Sequence, residues 1–190
     1  MLIVSQNLSN FDIEIPQNAV FRINLAWINT LDDLTQILEK HSQHDIFLDL
    51  PLNRTKPPRN SYSISELIPL LEHYKNIKYF AISNVDNDSI LDQFLPQLPS
   101  HIEIVPKIES PDGVKNIESI VTKLPYENKT VMLDHDDLFS SLKKRGEPES
   151  EFVKYIDELI NFCNTKNVQL LRTVGVIFSD SEKRITQYIK

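Results

Sequence analysis

The segment IEIVPKIESPDG, which begins at residue 102, ends an apolar run with a lysine and a glutamate two positions apart. Residues i and i+2 of a strand share a face, so the Lys107 ammonium and the Glu109 carboxylate should point the same way. Three further carboxylates, Asp134, Asp136 and Asp137, crowd the end of the next apolar run, VMLDHDDL. Glu109 and one of these aspartates could hold Mg²⁺ or Mn²⁺, with water in the remaining positions. A metal ion beside a lysine suits the stabilisation of an enolate that develops next to a carboxylate.

Each of these groups also has a purely structural interpretation. Lys107 and Glu109 could form an ion pair at the end of a sheet. Asp134 and Asp136 could be metal ligands, caps of the following helix or solvated charges. Three carboxylates so close together repel one another unless a cation offsets them, which favours a metal.

Polar side chains also end two earlier apolar runs. Arg22 and Asn24 lie two residues apart in FRINLA, and Asp49 closes FLDL. In a parallel barrel the carboxyl ends of the strands meet at one mouth, which is where such folds place their chemistry. Arg22 with Asn24 could therefore bind an anion or a substrate, or Arg22 could pair with Asp49 within the sheet.

Short apolar runs alternate with amphipathic helical patterns along almost the whole chain. This alternation predicts right-handed βαβ units and a parallel sheet. About seven strands favour an α/β fold of the TIM-barrel type, shortened or modified, because a standard barrel has eight strands and usually ~250 residues. We expect one barrel domain over residues 1–190. The predicted strands are 2–5, 19–26, 45–50, 78–83, 102–108, 129–134 and 168–178.

Local signals mark helix starts between these strands. Ser63 and Glu66 form the spacing of a capping box, which predicts a helix from that point. Ser110 is the expected cap of a helix that follows Glu109 closely. We expect Trp27 to pack with Phe21 in the core.

Composition narrows the range of functions. The formal net charge is −7 and no basic run is present, which argues against a nucleic-acid partner. Three glycines in the whole chain leave neither a dinucleotide fingerprint nor a Walker-type loop. The single cysteine, Cys163, cannot form an internal disulfide and fits a core position in a reducing compartment. With no signal-peptide pattern and no membrane-spanning stretch, we expect a soluble cytoplasmic protein that does not bind membranes.

Several segments resemble pyruvate kinase, and they occur in the same order along the chain. VPKIESPDGVKNIESI is similar to its lysine–x–glutamate segment, and FRINLA to its R-x-N-F-S strand. FLDLPLNRT is similar to its D-x-x-G-P-x-x-R-T turn, VMLDHDDL to its metal-binding A-R-G-D-L strand, and LLRTVG to its C-A-T-Q strand. Aldolases of the HpcH/HpaI and citrate lyase beta family have a related P-K-V/I-E-S segment within the same phosphoenolpyruvate/pyruvate barrel superfamily. The likeness extends from about residue 19 to 178.

The resemblance implies roles for individual residues. Lys107 would be the catalytic lysine that assists enolate protonation or phosphoryl transfer. Glu109 and Asp137 would bind the divalent metal, Mg²⁺ or Mn²⁺. Arg22 would steady an anionic group during catalysis. The residues that match substrate-binding positions are Asn24, Asp49 and Thr173.

The departures from pyruvate kinase argue against kinase chemistry. The loop 52–62 is too short to hold the lid domain that pyruvate kinase inserts there, and its C-terminal regulatory domain is missing. Without a lid, phosphoryl transfer would be poorly shielded from water. The Arg and Gly that precede the metal aspartate in the family are His135 and Asp136 here.

We therefore expect a divalent-metal enzyme that acts on pyruvate, phosphoenolpyruvate or a related 2-oxo acid through an enolate, most simply a carbon–carbon lyase or aldolase. The alternative is a degenerate barrel that binds a ligand or a partner protein and catalyses nothing; the lost glycines and the missing strand favour it. An incomplete barrel leaves strand edges uncovered, so closure requires a segment such as FDIEI (11–15) or a second subunit. We expect a homo-oligomer, most simply a dimer.

Overall fold

A computed structural model describes residues 1–5, 15–53 and 57–172 of the chain. These residues form seven strands with helices between them, which confirms the predicted α/β class. The strands are β1 (Ile3–Ser5), β2 (Val20–Asn24), β3 (Ile46–Leu50), β4 (Ile77–Ile82), β5 (Glu103–Ile108), β6 (Thr130–Leu133) and β7 (Gln169–Arg172). The α-helices are α1 (Leu31–Lys40), α2 (Ile64–His73), α3 (Pro111–Lys115), α4 (Ile117–Lys123), α5 (His135–Lys144) and α6 (Ser150–Thr165), and 3-10 helices cover Leu25–Trp27 and Asp88–Gln93.

The sheet is entirely parallel, and its strands lie in the order in which they occur in the chain. Right-handed crossovers between such neighbours place the connecting helices on one side of the sheet. The sheet curls into a half-barrel, which fits a barrel-like α/β fold. Within the described residues β1 and β7 are its edges, and no eighth strand joins them.

The outer face of the half-barrel, beneath the helices, carries the main hydrophobic core. Its strand residues alternate with those that face inward, as a pleated strand requires. A fully buried aliphatic side chain contributes about 1.5–3 kcal/mol to stability relative to an exposed one. The outer face of the strands includes Phe21, Ile23, Ile46, Leu48, Phe80, Ile104, Ile108, Val131 and Leu133.

The inner face carries a second, smaller hydrophobic cluster, which we call the apolar layer. It consists of Val20, Phe47, Ala81, Val105 and Met132, one residue from each strand of β2 to β6. Because inward positions recur every two residues, the next inward side chains lie nearer the carboxyl ends of the strands. That is the end of the sheet where the sequence predicts the functional groups.

Two predicted caps are present with the expected hydrogen bonds. The Ser63 amide donates to Glu66 Oε2 over 2.7 Å and the Glu66 amide donates to Ser63 Oγ over 3.4 Å, so the capping box of α2 is confirmed. Ser110 caps α3 by accepting from the Gly113 amide at 3.1 Å. A Cβ at Gly113 would lie 2.8 Å from the Val85 carbonyl oxygen, so only glycine allows α3 to approach the segment that follows β4 this closely.

The prediction that Trp27 lies in the core is wrong. Trp27 is 54% exposed, whereas Phe21 is fully buried and stacks on His41. Strand β2 ends at Asn24 because the Asn24 side chain accepts a hydrogen bond from the Ala26 amide and turns the chain into a 3-10 helix. That turn carries Trp27 out of the sheet and into solvent.

Some predictions fall on parts of the chain outside the described residues. The last predicted strand, 168–178, is described only as far as Arg172, so Thr173 lies outside. Most of the FDIEI segment (11–15) also lies outside. No helix in the described part of the chain is both long enough and apolar enough to cross a bilayer.

Candidate functional site

Four neighbouring strands each place a polar side chain directly beyond the apolar layer. Val20 is followed on the same face by Arg22, Phe47 by Asp49, Ala81 by Ser83, and Val105 by Lys107. Glu109 extends the set at the end of β5. We call these five residues the polar layer: Arg22, Asp49, Ser83, Lys107 and Glu109.

The Lys107 ammonium lies at the centre of the polar layer. Its Nζ atom is 2.8 Å from Glu109 Oε1, 3.1 Å from Ser83 Oγ and 3.5 Å from Asp49 Oδ2. Lys107 is only 5% exposed. Burial alone would lower its pKa, but the charges of Asp49 and Glu109 outweigh burial and raise the pKa of Lys107 above its ordinary value. The side chain therefore stays charged at neutral pH.

Arg22 reaches sideways to Asp49 in the neighbouring strand. Its guanidinium donates two hydrogen bonds to Asp49 Oδ2, one of them from Nε over 3.1 Å. Burial would raise the pKa of Asp49, but Lys107 and Arg22 together lower it below its ordinary value. Asp49 Oδ1 is buried and has no hydrogen-bond partner among the described residues. The structure thus realises the pairing of Arg22 with Asp49 that the sequence left open.

Glu109 is held from the side opposite Lys107 by a backbone amide. The Asn84 amide donates to Glu109 Oε2 over 2.6 Å, and Asn84 adopts a left-handed φ of 55°. The Asn84 side chain donates to the Leu52 carbonyl over 2.7 Å and so ties two strand ends together. Burial raises the pKa of Glu109, Lys107 offsets this only in part, and Asp134 adds to the rise.

Glu109 belongs to an acidic triad with Asp134 and Asp137. One carboxylate oxygen of each lies within 4.8 Å of the others. In an octahedral Mg²⁺ site neighbouring ligands lie about 3.0 Å apart and opposite ligands about 4.2 Å, given a metal–oxygen distance of ~2.1 Å, so side-chain rotation must bring the three oxygens closer together for all of them to bind one ion. Asp134 also caps α5 by accepting from the Asp137 amide at 3.2 Å. Asp136 is exposed and is not part of the triad.

The ionisable groups of the polar layer and the triad carry more negative than positive charge. The carboxylates are Asp49, Glu109, Asp134 and Asp137, and the cations are Arg22 and Lys107. With every group ionised, the surplus is two negative charges, which one divalent cation would neutralise. All triad donors are oxygens, and such hard ligands suit Mg²⁺ or Mn²⁺.

The site opens into a cavity of about 160 Å³. This is below the ~300–1,000 Å³ of pockets for drug-sized ligands, so it suits a molecule of few atoms. Lys107 and Glu109 line its inner end. The other lining residues are Asn24, Pro51, Leu52, Asn53, Ser83, Asn84, Asp137, Ser140, Ser141 and Lys144.

The structure brings together four of the seven residues that the sequence singles out: Lys107, Glu109, Asp137 and Asn24 all line the cavity. Arg22 and Asp49 are not among its lining residues, although they contact each other and Asp49 contacts Lys107. Thr173 lies outside the described residues.

Sequence reasoning missed eight of the twelve described residues that line the cavity, and three of these are informative. Ser83 lies two positions after the buried Ala81, which is the same pattern that singled out Lys107. Asn84 follows it with a backbone conformation that no sequence pattern announces. Lys144 lies seven residues after Asp137 on α5, a helical spacing that places both on one face.

Comparison with known proteins supports the fold and nothing finer. No protein-family model matches the chain, and no curated protein does. Among solved structures, the chain is similar to the crystal structure of RipC from Yersinia pestis, with a TM-score of 0.58 at 15% sequence identity. That likeness covers 98% of this chain and 83% of RipC.

Proposed function

We propose that this protein is a divalent-metal-dependent enzyme that acts on pyruvate, phosphoenolpyruvate or a related 2-oxo acid through an enolate, most simply as a carbon–carbon lyase or aldolase. The observation that carries the proposal is the acidic triad beside a buried, charged lysine at the inner end of a small cavity. The resemblance of the segment around Lys107 and Glu109 to the phosphoenolpyruvate/pyruvate superfamily supplies the reaction class.

In this proposal Glu109, Asp137 and Asp134 would hold Mg²⁺ or Mn²⁺. When bound, the cation would polarise the carbonyl group of the 2-oxo acid. As the carbon–carbon bond of a 4-hydroxy-2-oxo acid breaks, the hydroxyl proton would pass to water and the hydroxyl-bearing carbon would leave as an aldehyde or ketone. The electron pair of the broken bond would pass to the remaining oxo acid and produce its enolate. The Lys107 ammonium stabilises that negative charge and supplies the proton that converts the enolate to a 2-oxo acid.

The neighbouring residues keep Lys107 in place and charged. Asp49 holds the ammonium, and Arg22 holds Asp49, so both act through Lys107 rather than by touching the substrate. Asn24 lines the cavity and would contact the substrate there. Thr173 remains a proposed substrate contact on the strength of the resemblance alone.

A second candidate function is a ligand-binding module without catalysis. The observation that favours it is that the Lys107 ammonium already has three polar partners, Ser83, Glu109 and Asp49. A catalytic lysine must release one of these contacts to reach an enolate. The two candidates differ in whether the protein exchanges the methyl protons of pyruvate, since only an enolate-forming site does so.

The test combines Mn²⁺ binding with proton exchange. We expect Mn²⁺ to raise the melting temperature of the wild type, and the Mn²⁺-loaded protein to exchange the pyruvate methyl protons in D₂O, followed by NMR. Glu109→Gln should lose both effects. Glu158→Gln, an exposed change on α6, is the matched control and should keep both.

Two outcomes separate the candidates. A melting shift without proton exchange would support the binding module instead of the enzyme. A melting shift that Glu109→Gln retains, or no shift at all, would remove the metal site and the proposed chemistry with it.

The proposal includes a homodimer. Strands β1 and β7 pair on one side only within the described sheet, and exposed strand edges favour association. Light scattering coupled to size-exclusion chromatography measures the mass directly, and a monomer at micromolar concentration would contradict the dimer without affecting the metal site.

A further inference from the structure

One face of α5 forms a wall of the cavity along its whole length. Asp137, Ser140, Ser141 and Lys144 all line the cavity, and their spacing of three, four and seven residues is that of a single helical stripe. The stripe begins at a member of the acidic triad and ends at a lysine. The helix therefore presents a proposed metal ligand at one end of the cavity wall and a cation at the other.

Among the described residues that line the cavity, Lys144 is the cation that remains available to a ligand. The other cation of that described set is Lys107, which is already paired with Glu109 and Asp49. Within the described part of the chain, no carboxylate forms an ion pair with Lys144. The adjacent Lys143, by contrast, pairs with Glu149 at 3.2 Å.

Charge balance shows what Lys144 would be needed for. A divalent cation neutralises the surplus of the polar layer and the triad, and the same cation attracts the first carboxylate of a 2-oxo acid. Apart from Lys107, Glu109 and the residues of α5, the described lining residues are neutral: Asn24, 51–53, Ser83 and Asn84. A second negative charge on the ligand would therefore find its compensating charge at Lys144.

Helix geometry sets the distance between the two ends. Seven residues along an α-helix correspond to about 10 Å of rise. Both side chains lean toward the N-terminus, so the lean itself leaves this span unchanged, but the Lys144 stem is longer than that of Asp137 and its four carbon–carbon bonds of ~1.5 Å can cover up to roughly 5 Å. The remaining ~5 Å corresponds to two or three carbon atoms beyond a chelated 2-oxo carboxylate.

From these observations we infer that Lys144 binds a second anionic group, so that the substrate is a 2-oxo acid with a carboxylate or a phosphate-like group at its far end. This inference rests on the proposed function, because it takes the metal-bound end of the ligand from that proposal. Lys144 is thus a specificity residue, which selects the substrate without taking part in the bond-breaking step.

The experiment compares ligands of equal length that differ in the far group. In the presence of Mn²⁺, calorimetry measures the affinity for 2-oxopentanoate, which has a neutral tail, and for 2-oxoglutarate, which has a carboxylate tail. 2-Oxo-4-phosphonobutanoate, whose phosphonate also follows two carbon atoms, distinguishes a phosphate-like group from a carboxylate. Lys144→Gln is the variant, and Lys143→Gln is the matched control because Lys143 is exposed on the same helix but does not line the cavity.

The wild type should bind at least one of the two anionic-tailed acids about fivefold more tightly than 2-oxopentanoate, which is the scale of an exposed ion pair. Lys144→Gln should remove that preference and leave the affinity for 2-oxopentanoate unchanged, while Lys143→Gln keeps it. Both variants should melt as the wild type does, since both side chains are exposed.

Two results would overturn the inference in distinguishable ways. If 2-oxopentanoate binds with Mn²⁺ but no anionic tail is preferred, or Lys144→Gln keeps the preference, the role of Lys144 is wrong and the proposed function stands. If none of the three acids, nor oxalate, binds in the presence of Mn²⁺, the proposed function fails and the inference fails with it.

Discussion

On the outer face of the sheet, β3 places Ile46, Leu48 and Leu50 in one hydrophobic core. The side chains on this face are therefore apolar from one end of the strand to the other. On the inner face the same strand carries Phe47 and then Asp49. Strands β2, β4 and β5 make the same change from apolar to polar, but the register staggers it between strands: Arg22 pairs with Phe47, and Asp49 pairs with Ala81. Two faces of one sheet, built from alternating residues of the same segments, are therefore subject to different requirements.

The requirement on the outer face is packing, and the inner face carries an additional one. Removing charged groups from water is expensive, and well-packed hydrophobic residues of similar volume often replace a buried ion pair at no loss of stability. Continuing the apolar layer to the strand ends would thus serve folding equally well. Folding alone does not explain the polar layer. Substitutions in the polar layer should therefore affect function, whereas substitutions in the outer core should affect stability.

The largest effect is expected from Lys107→Met, which extends the apolar layer by one residue of similar length. Proton exchange of pyruvate should fall by about 100- to 1,000-fold, the cost of losing one stabilising group at a developing charge. Asp49 keeps Arg22 as a partner, so the variant should remain folded. Mn²⁺ should still bind, because every triad carboxylate is retained, and NMR exchange with a parallel Mn²⁺ titration checks both. Exchange at the wild-type rate would contradict the role of Lys107.

On the outer face, Leu48→Ala should show the opposite pattern. Leu48 is fully buried, and its truncation should lower the free energy of unfolding by about 2–5 kcal/mol. Below its unfolding transition the variant should keep the Mn²⁺ affinity of the wild type, because Leu48 lies on β3 and the triad residues lie at the ends of β5 and β6 and on α5. Urea unfolding and metal titration measure the two quantities. A large loss of Mn²⁺ affinity in the folded variant would mean that the two faces are not separable.

A smaller effect is expected in the acid dependence of stability. The pKa of Asp49 is lowered in the folded protein, so its ionised form stabilises the fold above its unfolded pKa, and that stabilisation is lost as the pH falls through the folded pKa. In Asp49→Asn the free energy of unfolding should depend less steeply on pH in the acid range, by up to ~1.4 kcal/mol per pH unit. The variant should also be less stable at neutral pH, because Lys107 and Arg22 lose a shared partner.

Asp157→Asn, an exposed change on α6, is the control for that measurement and should leave the acid slope unchanged. Urea unfolding at a series of pH values gives both slopes. Equal slopes for Asp49→Asn and the wild type would show that the carboxylate gains nothing from its partners.

The smallest expected effect concerns Cys163, the single thiol of the chain. Burial in the outer core raises the pKa of Cys163 to about 11, so the native thiol should react slowly with a disulfide reagent at pH 8 and rapidly in denaturant. Saturating Mn²⁺ should leave the native rate unchanged within error. If Mn²⁺ strongly raised or lowered the reaction rate of the native Cys163 thiol, the outer core would be shown to be coupled to the metal site.

Local patterns in the sequence were sufficient for most elements of the fold. Each predicted strand overlaps a strand of the structure, because runs of apolar residues indicate buried strands. The Ser63 capping box could be predicted because its two partners lie three residues apart. The lysine and glutamate of β5 were found for the same reason, as neighbours on one face of one strand. The prediction that Trp27 is buried was wrong because a single hydrogen bond, from the Ala26 amide to the Asn24 side chain, ends β2 before Trp27.

The contacts between strands were either left as one of two alternatives, as for Arg22 with Asp49, or not predicted at all, as for Glu109 with the Asn84 amide. Asp49 lies 27 residues from Arg22, and Glu109 lies 25 residues from the Asn84 amide that holds it. Such pairs depend on the relative level of neighbouring strands and on a left-handed residue, neither of which leaves a periodic signal. The sequence therefore identified the groups at the mouth, but not which of them line the cavity and which stand behind it.

The sequential order of the strands has a consequence for biosynthesis. Each strand from β2 onward pairs with the one made just before it, so a ribosome delivers every new strand to an edge that already exists. A nascent chain that ends after α5 already contains the polar layer and all three carboxylates of the triad, while α6 and β7 are still to come. The proposed cation binding would therefore be able to contribute to folding before translation is complete.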